Sequence, residues 1–458
     1  MPSTSQTVDL NDVQATVLRP RPSPYCGQYI VLKINDAAQG RAMVGRLIPH
    51  VASASRWWEP SYMGWLGIVF TYSGLAALGL PQDSLDSFPD EFKQGMAARA
   101  NVLHDTGPNA PEHWLTPFGS KDVHVALAIY AKDAPSLEEC LSLARTVHEG
   151  LPGIEVLYRL NFSELPGGRN PFGYRDGLHN PPIEGTAESA SQGPTSAAPQ
   201  AAAVKEVEPP LKAGEILLGY EDELGKVAQT PVPEALRLNG SFAAIRMYQA
   251  NVASFRRFLR DNSNSPEEEE LLAAKMVGRW RSGAPLVLAP ETDNPQLGQD
   301  NVANDRFSYS DDERGLLCPA GAHIRRINPR DALKNDIVNV KLHKFIRRGT
   351  NFGHPLPEGV FEDDGAERGG VFLLIGTDLG RQFEFVQSQW IANGDFVHLG
   401  NEQDPMVGNN GPDAQFTIPK KPLRRRINGV PQFVTLRGGE YCFMPGIKAL
   451  RWIASLGA

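Results

Sequence analysis

The 458-residue chain has only four cysteines, Cys26, Cys140, Cys318 and Cys442, and none stands in a CxxC or CxxCH spacing. That shortage excludes a zinc ribbon and a covalently attached haem, and a reduced, cytoplasmic protein is the simplest expectation. No apolar run approaches the roughly 18 residues that a membrane-spanning helix requires. The opening residues, MPSTSQTVDLNDVQ, lack the basic and apolar regions of a secretory signal. Positive charge is also in deficit, since 45 Lys and Arg against 53 Asp and Glu leave a net charge of -8. A nucleic-acid partner, which usually needs a broad basic surface, is therefore not expected. What remains is 41% hydrophobic and 21% charged, the balance of a globular chain that can bury a sizeable core. Its length suits two domains of ordinary size.

The hydrophobic pattern changes period in a regular order. Tyr29 to Ile34 reads as a strand, Asp36 to Ser55 carries Met43, Leu47 and Val51 on one helical face, and Gly64 to Tyr72 reads as a second strand. The order then recurs. Val123, Val125, Leu127 and Ile129 alternate with smaller or polar residues, Leu137, Leu141, Ala144 and Val147 form a helical stripe, and Ile154 to Leu160 returns to strand character. Two β-α-β units in series predict a ferredoxin-like α+β domain with an antiparallel sheet, over residues 1–184.

Residues 185–214 are rich in Ala, Ser, Pro and Gly and read as a flexible insertion or linker. Beyond it, Gly240 to Gln249 is a strand, and Val252, Phe255, Phe258 and Leu259 are a helical stripe. Ser265 and Pro266 open a further helix with Glu268 closing a capping box. Gly370 to Asp378 reads as a buried strand leading into a helix over Gln382 to Ala392. A second ferredoxin-like domain over 215–458 follows.

The densest chemistry lies between Cys318 and Gly353, where His323 and His343 stand among eight Arg and Lys residues. Such a cluster points to a pocket for an anion, and a histidine among guanidinium groups suits an anion with a metal at its centre, such as haem. A solvated basic loop with a structural histidine is the plainer alternative. In NPFGYRDGLHN (Asn170 to Asn180), flanking glycines would let Asp176 enter a pocket, although a turn aspartate is the plainer reading of the Asp-Gly pair. Arg347 or Arg348 could reach the same cavity. A histidine ligand, a carboxylate for proton transfer and an arginine for developing charge are what a haem peroxidase needs.

The chain resembles the dye-decolourising peroxidases, in their larger form. FTYSGLAALGL, DSFPDEFKQGMAARA, FGYRDG, EILLGYEDELG, NGSF, MVGRWRSGAPL, CPAGAHIRRINPR, IRRGTNFG, RQFEF and DPMVG occur in family order over nearly the whole chain. The resemblance implies two ferredoxin-like domains of the dimeric α+β barrel type, with non-covalent haem b held mainly by the second. It makes His323 the iron ligand, Asp176 of the GxxDG motif the acid-base, and Arg347, preferred over Arg348 by alignment on Phe352-Gly353, the partner arginine. Gly349 stands where compact relatives carry asparagine. Arg330 is the candidate for a propionate contact, and Asp404 for a hydrogen bond to the second His323 nitrogen. Trp390 is the candidate surface site for oxidising bulky donors. The implied partners are hydrogen peroxide and aromatic donors such as dyes and phenols, with an acidic optimum because the base is an aspartate. No membrane partner is expected, and homo-oligomerisation stays open. A haem carrier without peroxide chemistry and a haem-deferrating enzyme are the alternatives.

Overall fold

The computed structural model describes residues 7–55, 64–178, 180–186, 209–333 and 338–457. Its centre is an eight-stranded sheet assembled from two similar halves. The first half holds β1 (Cys26–Ile34), β2 (Gly64–Phe70), β3 (Val125–Ala131) and β4 (Ile154–Ser163). The second holds β5 (Ser241–Ala250), β6 (Ile346–Phe352), β7 (Gly369–Gly376) and β10 (Val434–Met444), while β8 (Gln415–Ile418) and β9 (Arg425–Asn428) pair separately. The order is β4-β1-β3-β2-β10-β5-β7-β6 and every pairing is antiparallel. If the second half's strands are counted from one, each half reads 4-1-3-2. This is the α+β architecture of two ferredoxin-like units. The halves meet through β2 and β10, whose register contains the single pair Phe70 and Phe443.

The helices form where the sequence supplies both a cap and an apolar stripe. The Ala37–Leu47 helix starts at Asp36, whose side chain accepts from the Gln39 amide, and it buries Gly40, Met43, Val44 and Leu47. That spacing lays one face on the sheet. Asp133 caps Ala134–His148 in the same way. In the second half Asn251 caps Val252–Asp261, and Ser265 caps Pro266–Val277 by accepting from the Glu268 amide at 3.3 Å. Glu268 reaches back to the amide of Asn264, one residue before the expected partner.

Three segments depart from the sequence reading. Residues 187–208 of the expected insertion lie outside the described residues, but the 211–214 end of that range belongs to the fold. Leu211 exchanges backbone bonds with Pro182 and Glu184 and is 2% exposed. Gln382 to Ala392, expected as an α-helix, winds as the π-helical turns Leu379–Glu384 and Val386–Ile391. Finally, β6 lies inside the basic stretch. Its buried positions include Arg348 and Thr350 as well as Ile346, so apolar alternation does not mark it as a strand.

Candidate active site

His323 begins the short His323–Ile327 helix. Its approach is set by Gly278, which ends the Pro266–Val277 helix in a left-handed turn with φ of 92°. A Cβ on Gly278 would lie 2.5 Å from Ile324 Cγ1, so only glycine lets the two helices come this close. Across from it, Nδ1 of His323 is 2.8 Å from Oδ2 of the fully buried Asp404. The other Asp404 oxygen accepts from the Met406 and Val407 amides at 2.8 and 3.0 Å. Burial alone would raise the Asp404 carboxyl. The pairing with His323, the Arg326 charge and the Val407 amide outweigh it and hold the group below the ordinary aspartate range. A carboxylate at Nδ1 fixes that nitrogen as the donor, which leaves Nε2 as the nitrogen able to bind a metal.

The basic stretch divides its cations between structure and site. Arg325 donates to Asp312 Oδ2 at 3.0 Å and to the Asp312 and Cys318 carbonyls. Arg326, fully buried, binds the carbonyls of Trp390, Glu402 and Asn393. Arg348 donates to the Thr16 and Val17 carbonyls. Much of the charge that suggested an external anion is therefore taken up by the chain's own acceptors. Arg330 and Arg347 are placed differently.

Arg347 shares one face of β6 with Gly349, because alternate residues of a strand point the same way. Asn180 clamps its backbone by accepting from the Arg347 amide at 2.8 Å and donating to its carbonyl at 3.3 Å. Burial lowers the Arg347 guanidinium below its usual value and Arg330 adds to that, while Asp176 and Asp305 oppose it. Arg330 has a left-handed backbone, with φ of 52°, and binds Asp305 Oδ1 at 2.5 Å while lying 3.8 Å over the Phe307 ring. Arg279 lies 5.4 Å over the same ring. It is pushed down to about 10 by burial and by the neighbouring charges of Arg330 and Arg347.

Asp176 is carried by a loop that the second half holds in place. The Arg175 amide donates to the Arg281 carbonyl at 3.1 Å, the Arg281 side chain binds the Phe172 carbonyl, and Phe172 packs edge-on against Phe255. Gly173 and Gly177 have φ of 88° and 73°, the positive angles that the flanking glycines suggested. The Asp176 Oδ1 accepts from the Gly177 amide and Oδ2 pairs with Arg21 at 2.8 Å.

These residues suit a haem by their donor chemistry. Three arginines, Arg279, Arg330 and Arg347, repel one another around Asp305 and Asp176, and the two carboxylates of a porphyrin would relieve that repulsion. His323 offers a ligand nitrogen with a buried anion behind it. Arg330, the expected propionate contact, is already paired with Asp305, so a propionate would share or replace that partner.

Trp390 requires a correction. Expected at the surface, it is 4% exposed and packs with Leu333, Val386, Ile391 and Phe396. Its π-helical segment is buried on nearly every side, which turns the indole toward His343 and Phe385. Arg21, Arg279 and Asp305 were not singled out from the sequence. Arg279 lies within MVGRWRSGAPL and could have been noticed there, whereas nothing in the RPRPSP context distinguishes Arg21.

A family model described as the DyP dimeric alpha+beta barrel domain matches residues 12–161. A dye-decolorizing peroxidase of Mycetinis scorodonius is 28% identical over 99% of this chain and 89% of its own length. One from Auricularia auricula-judae is 29% identical over 84% of this chain and 74% of its own. Among solved structures, a dye-decolorizing peroxidase in complex with 2,6-dimethoxyphenol superposes with a TM-score of 0.82 at 27% identity, covering 98% of this chain and 100% of that one. With the two-half sheet and the His323 to Asp404 pair already in view, residues 12–161 carry the DyP dimeric alpha+beta barrel domain, and the chain is similar to dye-decolorizing peroxidases over nearly its whole length.

Proposed function

We propose that this protein is a haem-dependent peroxidase that reduces hydrogen peroxide and oxidises dyes, phenols or other aromatic donors by one-electron steps, using non-covalent haem b. The observation that carries the reading is the His323 Nδ1 contact with buried Asp404 at 2.8 Å, which leaves Nε2 as the nitrogen that would hold haem iron. Haem, when bound there, supplies the redox chemistry. Arg330 and Arg279 would neutralise its carboxylates.

On this reading Asp176 takes the first proton of peroxide and returns it to the departing oxygen. Arg347 stabilises the charge that separates as the O–O bond breaks. Arg347 is desolvated by its surroundings, and charge stabilisation is stronger in such a site than in water. Phenolic donors are inferred from the 2,6-dimethoxyphenol complex of the related structure.

The test is the absorption spectrum of purified protein before and after one equivalent of peroxide. A Soret band should be present and should change on mixing. Asp176→Asn and Arg347→Leu should each slow that change by about 100-fold or more. Wild-type rates in both variants would reject the roles given to these residues, and a missing Soret band after haem supplementation would reject the haem reading.

A further inference from the structure

We infer that Arg21 is a positioning residue for peroxide activation: its guanidinium braces the Asp176 carboxylate against the strand that carries Arg347. The inference rests on the peroxidase reading and adds a group from a third part of the chain. Arg21 lies just beyond the short Ala15–Leu18 helix, 155 positions from Asp176. One terminal nitrogen, Nη2, binds Asp176 Oδ2 at 2.8 Å, and the other, Nη1, donates to the Gly349 carbonyl at 2.5 Å.

Gly349 is two residues along β6 from Arg347. A single planar group therefore spans the GxxDG loop and the Arg347 strand. Its plane is fixed in turn by Tyr25, whose ring centre lies 4.6 Å away and whose side chain is 3% exposed. The Gly177 amide holds the other carboxylate oxygen at 2.8 Å, so both oxygens of Asp176 are directed. Arginine suits this task because its fork reaches two acceptors at once, whereas an ammonium acts as a point charge.

The brace should matter at one step. Peroxide has to meet a carboxylate already aligned with Arg347, and small misplacements of reacting groups are costly in rate. Donor oxidation follows later and does not use the Asp176 orientation.

The experiment uses the haem-loaded full chain with Arg21→Ala, Arg21→Lys and, as a reference, Asp176→Asn. Stopped-flow mixing with hydrogen peroxide gives the bimolecular constant, and steady-state work at saturating peroxide gives kcat/KM for a phenolic donor. In Arg21→Ala the peroxide constant should fall by about 10-fold or more while kcat/KM for the donor stays within twofold. Millimolar guanidinium or the lysine variant should restore part of the loss. An unchanged peroxide constant in Arg21→Ala, beside a large loss in Asp176→Asn, would overturn the inference and leave the peroxidase reading standing. A loss that neither guanidinium nor lysine repairs, with a lowered melting temperature, would also overturn it. If Asp176→Asn itself reacts normally, the underlying assignment fails instead.

Discussion

Replacing Asp404 by Asn separates the chemistry of this carboxylate from its architecture. One oxygen satisfies the Met406 and Val407 amides and the other faces His323 Nδ1. Asparagine can keep the first set through its carbonyl but presents an NH2 group to the imidazole. Two donors cannot face each other, so the imidazole must give up its Nδ1 proton and carry one on Nε2 instead, with Nδ1 accepting from residue 404. That tautomer cannot bind iron. Outer-shell changes of this kind typically lower metal affinity by about 10- to 100-fold, and the same loss is expected for haem titrated into Asp404→Asn. Stability should change far less, because the two buried amides keep their acceptor. Asp404→Ala removes that acceptor too, and leaving two amides unpaired costs roughly 2–6 kcal/mol, so this variant should lose both haem and thermal stability. Haem affinity in Asp404→Asn within threefold of wild type would refute the tautomer argument.

Other outcomes follow from buried features outside the site. Arg246 and Asp105, each 2% exposed, are joined by bonds of 2.9 and 2.6 Å, so Asp105→Ala should cost about 3–5 kcal/mol in denaturant unfolding, and a loss below about 1 kcal/mol would count against this estimate. Glu440 is buried and pushed up to about 8 from an ordinary 4.5, with the Gly119 amide opposing that rise. Because its folded-state value lies above the unfolded one, its contribution is fully present below pH 4.5 and is lost as pH rises through 8. The loss amounts to at most roughly 4–5 kcal/mol, and Glu440→Gln should flatten the fall of melting temperature over that window. Gly278→Ala should destabilise by about 1–3 kcal/mol through its left-handed backbone and weaken haem retention by displacing the His323 helix. Adding Ile324→Ala should recover the packing part of that loss, and no recovery would assign the whole effect to the backbone.

The parts of the fold legible in the sequence are those fixed by neighbours along the chain. Asp36 and Ser265 announce helix starts within three residues, and the apolar stripe from Leu137 to Val147 reports its own face. Each β-α-β unit could be read locally, so the repetition of the domain was visible too. The β6 strand was hidden because its buried Arg348 finds partners in Thr16 and Val17, 332 and 331 positions away. The same holds within the candidate site. His323, Asp176 and Arg347 stand in recognisable segments, but the Arg21 brace joins residues with no local relation. Trp390 was misplaced because exposure depends on what covers a helix, and the covering residue Leu333 comes from another segment.

The junction of the two halves has a consequence for reactivity. Phe70 and Phe443 are the one register pair across it, and Phe443 lies 5.2 and 5.7 Å from the rings of Phe88 and Phe242. A seam closed by edge-on and tilted rings more than by a ladder of amides has no fixed notch. Asp176 follows strands of the first block and Arg347 sits on a strand of the second. Because the loop of Asp176 is itself tied to the second half through Arg281 and, by way of Arg21, to Gly349, a change at Phe443 would reset the seam while those bonds hold the spacing of Asp176 and Arg347.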